Sequence, residues 1–259
     1  MLPINILFIG DICGRPGREA VHDHIYNLCN EYNITTCIAN CENAAGGFGV
    51  TDDILTELSR AGIDVFTSGN HVFSKREAIH LFDRDYSFIR PYNMPKGDPG
   101  IGYVVHTDRN GGKIAVINLL GRLFMNLPVT SPFDAVEEVL KQIGDVKNII
   151  IDIHAEATSE KKALAYFVDG KVSAVLGTHT HVQTADETVL PKGTAYISDV
   201  GFSGAINSVL GADPQVAISK FTSCTPKHYV GAEGARQINA VVVSTDENGR
   251  AISIKRIIR

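Results

Sequence analysis

The chain has 259 residues, of which 44% are hydrophobic and 20% are charged, and its formal net charge at pH 7 is −5. This length allows one large domain or two small ones, and the composition is ordinary for a globular enzyme. The small excess of acidic residues argues against an extended nucleic-acid-binding face and against a polybasic membrane-binding surface.

Short apolar runs rich in β-branched residues predict strands along the whole chain. In order, they cover residues 4–9, 36–39, 65–67, 101–105, 114–119, 149–153, 172–176, 195–197, 238–244 and 252–258. Their length and lack of polar alternation favour strands that are buried on both faces. In the last run, Lys255 and Arg256 lie among isoleucines, which predicts one strand face in water.

Amphipathic stretches between these runs predict helices at 18–32, 51–61, 75–82, 133–142 and 159–167. Thr51, which precedes two aspartates, is the predicted N-cap of the second helix. The alternation of strands and helices predicts an α/β fold, and Asn248-Gly249 predicts a late hairpin that makes the sheet mixed. Because no linker or repeat interrupts the chain, we expect a single domain over residues 1–259. Gly- and Pro-rich segments at 90–100 and 199–213 are expected to be surface or lid loops.

Cysteine usage and the N-terminus predict a cytoplasmic protein. The five cysteines are odd in number and form no C-x-x-C pair, which argues against a disulfide framework and favours a reducing compartment. The apolar run at 6–9 is too short for a signal peptide or a membrane-spanning helix. No membrane partner is therefore expected.

Metal-binding residue types follow five of the predicted strands at the point where each strand ends. They are Asp11, Glu42, Asn43, Asn70, His71, His154, His179 and His181. A lone residue of this kind is more often a helix cap or a hydrogen-bonded core residue. The carboxyl ends of strands in open α/β sheets share one edge, however, and ligands bind there. Five such segments together therefore predict a shared metal site.

The residue types also indicate the metals and the substrate. In an extended segment, His179 and His181 would point to one side, roughly 6–7 Å apart along the chain. Metal ions in two-metal phosphoesterase sites lie about 3.5–4 Å apart, so each imidazole could bind one ion while Glu42 bridges both. The mixed oxygen and nitrogen donors suit two transition-metal ions, iron or manganese first and then zinc, better than calcium or magnesium. The residual positive charge favours a phosphodiester monoanion.

These residues occur in an ordered series of motifs. They are G-D at 10–11, C-E-N at 41–43, G-N-H at 69–71, His154 and G-T-H-T-H at 177–181. The series resembles the calcineurin-like metallophosphoesterases, and among them the bacterial YmdB-like branch, over nearly the whole chain. The resemblance implies an αββα sandwich with two mixed β-sheets flanked by helices. It also implies a dinuclear phosphodiesterase that hydrolyses 2′,3′-cyclic nucleotides or similar small phosphodiesters through a hydroxide that bridges the metals.

The resemblance further implies a role for each residue. The first metal would be held by Asp11, Glu42, Asn43 and His181, and the second by Glu42, Asn70, His154 and His179. His71 would bind no metal and would stabilise or protonate the leaving oxygen. The superfamily's usual Asp-x-His start reads Asp11-Ile12-Cys13 here, and Asn43 would fill that missing ligand position. Glu42 and Asn43 are adjacent, so both can reach a metal only if the chain has already left the strand.

Several alternative functions compete with this hypothesis. Gly10, Gly14 and Gly17 do not form the G-x-G-x-x-G of a dinucleotide fold, and no G-x-S-x-G elbow indicates a serine hydrolase. Glu156 is interpreted as a structural carboxylate at a helix start. A phosphomonoesterase, a metal-containing regulatory protein with incidental hydrolysis, action on RNA ends and a homo-oligomer all remain open.

Overall fold

The computed structural model of the protein describes residues 4–84 and 86–259. The strands are β1 (Ile4–Ile9), β2 (Asp11–Ile12), β3 (Thr36–Asn40), β4 (Val65–Thr67), β5 (Tyr103–Thr107), β6 (Lys113–Leu120), β7 (Asn148–His154), β8 (Ala174–Thr178), β9 (Thr188–Val189), β10 (Ala195–Ile197), β11 (Phe202–Ala205), β12 (Arg236–Gln237), β13 (Asn239–Thr245) and β14 (Ala251–Ile258). The helices are α1 (Gly14–Glu31), α2 (Asp52–Ala61), α3 (Ala78–Leu81), α4 (Pro132–Gln142), α5 (Thr158–Phe167) and α6 (Pro214–Thr222).

Two mixed sheets form the centre of the molecule. The first has the order β14-β13-β1-β3-β4, in which β1, β3 and β4 are parallel and β13 runs antiparallel to β1. The second has the order β5-β6-β7-β8-β10-β9, in which β6, β7, β8 and β10 are parallel. The predicted hairpin joins β13 to β14, and Gly249 in its turn has a φ of 80°.

The two sheets pack face to face and are covered by helices on their outer faces. Phe8 of the first sheet and Ile150 of the second belong to one fully buried cluster between the sheets. The other face of the first sheet packs against α1 and α2, and that of the second against α4 and α5. The layer order is therefore helix, sheet, sheet, helix, which confirms the expected αββα sandwich.

The prediction of strands buried on both faces fails at the edge strand β5, whereas the exposed face predicted for the last apolar run is present in β14. The inner strands β3, β7 and β8 are buried along their whole length. The edge strands β5 and β14 are partly exposed, because each has a neighbour on one side only. The loop expected at 199–213 is also wrong in part, since β11 lies within it and joins β2 and β12 in a small third sheet.

Four of the five predicted helices, α1, α2, α4 and α5, are present over nearly the expected ranges. Thr51 caps α2 as expected, because its side chain accepts a hydrogen bond from the backbone N–H of Ile54 at 3.4 Å. The helix expected at 75–82 shrinks to α3, and α6 was not expected. Within residues 4–84 and 86–259, no helix combines the length and the apolar character needed to cross a bilayer.

Candidate metal centre

Polar side chains from both sheets meet where the parallel strands end. Five of these residues lie on the side of the first sheet: Asp11 in β2, Glu42 and Asn43 after β3, and Asn70 and His71 after β4. The other three extend from the second sheet: His154 at the end of β7, and His179 and His181 after β8. Contacts among their side chains or backbones link all eight residues into one cluster, in which the contact of His154 with Glu42 joins the two halves. The convergence expected from the sequence is therefore present.

His154 lies at the centre of one half of this cluster. Its Nε2 atom is 3.2 Å from Glu42 Oε1 and 2.9 Å from Asn70 Oδ1. The Nδ1 atom of His179 is 3.0 Å from the same nitrogen. Glu42, His154 and His179 offer donor atoms that all lie within 4.8 Å of one another. Such a convergence of imidazole and carboxylate lone pairs fits a transition metal.

The other half of the cluster surrounds Asn43 and Asp11. The Nδ2 atom of Asn43 is 3.1 Å from both Glu42 Oε1 and His181 Nε2, and Asp11 Oδ1 lies 3.9 Å from that same His181 nitrogen. Asp11 is fully buried, and its Oδ1 atom has no hydrogen-bond partner in the part of the chain that the structure describes. A buried carboxylate oxygen without a donor is costly, so a cation at this position fits the residues present.

The backbone explains how adjacent residues can share the site. Strand β3 ends at Asn40, and the side chain of Asn40 accepts the backbone N–H of Glu42 at 3.1 Å. The chain has therefore left the strand before Glu42 and Asn43, so both of these adjacent side chains can face the same site.

The extended conformation expected for residues 179–181 is wrong. His179 has a φ of 101° and His181 a φ of 63°, both in the left-handed region. Asp199 Oδ2 accepts the backbone N–H of Thr180 at 2.9 Å and its hydroxyl at 2.8 Å, which holds the chain in this turn. As a result, His179 faces His154 while His181 faces Asn43.

Burial and neighbouring charges set the protonation of the cluster. Burial raises the pKa of Glu42, but His154 outweighs it and brings that pKa to about 2. Burial lowers the pKa of His154, yet the carboxylates around it, with Glu42 first, raise it to about 9. Burial and the charge of His154 lower the pKa of His179 to about 3. Glu42 and His179 thus have free lone pairs at pH 7, whereas His154 must release a proton when a cation binds.

The cluster opens into a cleft of about 360 Å³ whose wall includes residues that the sequence did not single out. Phe48 and Tyr229 line it with ring centroids 4.9 Å apart, and their separation in the sequence gave no sign of this contact. Glu156 lines it too, and the interpretation of Glu156 as a helix-start residue is wrong, because α5 begins at Thr158. The Oε2 atom of Glu156 lies 3.2 Å from His179 Nε2. Its position two residues after His154 was the sequence feature that could have placed it in the cleft.

A family model described as YmdB-like protein matches residues 7–257. The chain belongs to the YmdB-like family. It is 43% identical over 257 residues to a 2′,3′-cyclic-nucleotide 2′-phosphodiesterase of Bacillus subtilis, with 98% of this chain and 97% of that relative covered. The predicted membership of this metallophosphoesterase branch is thereby confirmed.

Two solved structures share the fold of this YmdB-like protein closely. A hypothetical protein from Thermus thermophilus is 37% identical with a TM-score of 0.93, and 99% of each chain is covered. A novel phosphatase from Mycoplasma pneumoniae is 33% identical with a TM-score of 0.93, with 100% of this chain and 94% of that chain covered. The chain is a phosphoric ester hydrolase of this family, as its motifs predicted.

Proposed function

We propose that the protein is a cytoplasmic phosphodiesterase that uses two transition-metal ions and acts on 2′,3′-cyclic nucleotides or similar small phosphodiesters. The observation that carries this proposal is the cluster of carboxylate, amide and imidazole donors at the strand ends, in which Asp11, Glu42, Asn43 and His154 are buried. The activity named for the Bacillus subtilis relative supports the substrate class. One domain, residues 1–259, would carry the activity.

The family resemblance groups the donors into two sets that share Glu42, and contacts within each set support this grouping. One set is Asp11, Glu42, Asn43 and His181, and the other is Glu42, Asn70, His154 and His179. Each set would hold one ion, with iron or manganese preferred over zinc. When bound, two such ions supply positive charge that activates water and offsets the charge of the phosphoryl group.

His71 is placed to act on the leaving group. Its backbone N–H donates to Glu42 Oε2 at 3.0 Å, and its half-buried ring lines the cleft. Burial lowers the pKa of this imidazole, which favours its neutral form. Its Nδ1 atom lies 3.3 Å from Ser74 Oγ, and when Ser74 donates this hydrogen bond a neutral ring carries its proton on Nε2. A hydrogen bond from this N–H can stabilise the oxygen that leaves phosphorus, whereas transfer of a proton to that oxygen requires the protonated imidazolium form of the ring.

The aromatic wall of the cleft supports a nucleotide over a simple alkyl diester. Phe48 is 37% exposed, and its ring lies edge-on to both His71 and Tyr229 with centroids 4.9 Å apart in each pair. An exposed aromatic face beside a phosphate site can stack with a nucleobase. The cleft volume of about 360 Å³ suits a mononucleotide.

Kinetics of metal-loaded variants test this function. His71→Ala should retain both ions and lose about 10²–10⁴-fold in kcat on 2′,3′-cyclic nucleotides, because it removes only the proton donor. Asp11→Ala should lose metal and activity together. His106→Ala on β5 is the matched control and should behave as wild type.

Two outcomes would contradict the proposal. A normal turnover by His71→Ala would remove the role of that residue. Hydrolysis of phosphomonoesters but of no diester in the same panel would replace the phosphodiesterase with a phosphomonoesterase.

A further inference from the structure

Four buried polar residues lie directly behind the donor cluster, two from each sheet. Asn40 and Thr67 are register partners at the ends of β3 and β4, and Thr178 ends β8 as the register partner of His154. Asp152 lies two residues before His154 on β7. Asn40, Thr67, Asp152 and Thr178 are all fully buried, and the role proposed above for the donor cluster uses none of them.

The carboxylate of Asp152 is surrounded by donors from both sheets. Its Oδ2 atom accepts from the Thr67 hydroxyl at 2.5 Å and from the Asn40 amide at 3.0 Å. Its Oδ1 atom accepts from the Thr178 hydroxyl at 2.7 Å. An ionised carboxylate only accepts hydrogen bonds, so the single hydroxyl proton of Thr178 points at Asp152.

The direction of that proton determines where His154 carries its own. Thr178 Oγ1 lies 2.9 Å from His154 Nδ1. Because the hydroxyl proton is already given to Asp152, Thr178 can only accept from the imidazole. The proton of a neutral His154 therefore stays on Nδ1, and its lone pair is on Nε2. That is the nitrogen that faces Glu42, Asn70 and His179.

We propose that Thr178 and Asp152 are positioning residues that fix the Nδ1-protonated form of His154 and direct its Nε2 lone pair at the metal. The inference rests on the proposed role of His154 as a ligand, but it does not depend on which phosphodiester is hydrolysed. Partners that orient a ligating imidazole in this way raise metal affinity about 10–100-fold.

A comparison of Thr178 with Thr67 distinguishes the positioning role from a merely structural one. Thr67 and Thr178 each donate one hydroxyl to the same buried carboxylate, but only Thr178 also touches the imidazole. Replacement of either threonine by valine keeps the side-chain shape and removes one such hydrogen bond. The two variants therefore perturb the buried network to a similar degree and differ in their effect on His154.

The first experiment titrates the purified, metal-free full chain with Mn²⁺ against a competing chelator. Thr178→Val should lose about 10–100-fold in affinity at one of the two sites. Thr67→Val should bind Mn²⁺ as wild type does, and Thr178→Ser, which restores the hydroxyl, should recover the affinity. Equal losses in Thr178→Val and Thr67→Val, or no loss in Thr178→Val, would overturn the inference.

The second experiment moves the imidazole proton of a neutral His154 from Nδ1 to Nε2. In Asp152→Asn, the donors Thr67 and Asn40 require the amide oxygen on their side, which turns the amide NH₂ toward Thr178. The Thr178 hydroxyl must then donate to His154 Nδ1, and the imidazole proton moves to Nε2, where it blocks the metal. Asp152→Asn should therefore bind Mn²⁺ more weakly than Asp152→Asn/Thr178→Val, in which no hydroxyl forces that form.

The order of these two affinities decides the inference. A double variant that binds more weakly than Asp152→Asn would overturn it. Thermal unfolding of the metal-free variants tests whether both are folded at the titration temperature. If Asp152→Asn does not fold, the comparison of Thr178→Val with Thr67→Val still decides the inference. A wild-type chain that binds no Mn²⁺, Fe²⁺ or Zn²⁺ would instead contradict the proposed function itself.

Discussion

The donor cluster leaves almost no space around Gly69. A Cβ atom at this position would lie 2.2 Å from Glu42 Oε2 and 2.5 Å from His154 Nε2. Real Cβ atoms do not approach other atoms so closely, so a larger residue here must displace two of the proposed ligands. Glycine is thus required at this position by the close approach of two side chains.

Gly69→Ala should therefore abolish metal binding and hydrolysis. We expect metal content measured after dialysis to fall together with activity. Gly97→Ala is a matched control, because a Cβ there meets nothing within 4 Å. A Gly69→Ala protein with wild-type metal content would show that the cluster adjusts more easily than its distances indicate.

The positions of the proposed ligands could be predicted from sequence because they lie at or just after the ends of strands, and apolar runs reveal where strands end. Asn70 and His154 are examples, since topology alone brings such residues together. Tyr229 and Glu156 were missed or misread for the opposite reason. Their places in the cleft depend on loops whose conformations are set by tertiary contacts, and no local periodicity reports those contacts.

The segment that leaves β8 depends on a buried ion pair for its shape. Lys161 on α5 donates to the carbonyl oxygen of Thr178 at 2.7 Å and to Asp199 Oδ2 at 2.9 Å. Asp199 in turn holds Thr180, as described above, and its Oδ1 accepts the N–H of Gly201 at 2.8 Å. Lys161 and Asp199 are both fully buried. The pair thus holds the backbone on both sides of His179.

Lys161→Met should lower the free energy of unfolding by about 3–5 kcal/mol, because it leaves Asp199 buried without its partner charge. Urea unfolding of the metal-free protein measures this change. Lys162→Met alters the adjacent, exposed lysine and should change stability by less than about 0.5 kcal/mol. If both variants unfold at the same urea concentration, the ion pair does not hold the segment.

At the level of elements, the sequence predicted the long strands and the three-residue strands β4 and β10, but it missed β2, β9, β11 and β12. β7 and β8 are apolar runs that periodicity identifies. β2 and β12 have two residues each, and they form strands only because β11 lies between them. The helix expected at 75–82 was overestimated, because its apolar spacing fits both a helix and the irregular turns that surround α3.

The proposed metal ions would join the two halves of the whole molecule. Asp11, Glu42 and Asn70 belong to the side of the first sheet, whereas His154 and His179 extend from the second. Each proposed donor set contains residues from both sides. A bound ion would therefore resist separation of the sheets as well as serve the reaction.

Removal of metal should lower the stability of the entire sandwich. An ion present at 100 times its Kd stabilises the folded state by about 2.7 kcal/mol per site, provided that it does not bind the unfolded chain. Calorimetry should show a lower Tm in the presence of chelator, and restored metal should reverse the change.

The difference in Tm between the metal-loaded and the chelator-treated protein should shrink as the pH falls, since protons compete with the metal for the carboxylates and imidazoles. His154→Ala, which lacks a ligand extended from the second sheet, should respond less to chelator than wild type does. A wild-type Tm that chelator leaves unchanged would contradict the idea that metal connects the two sheets.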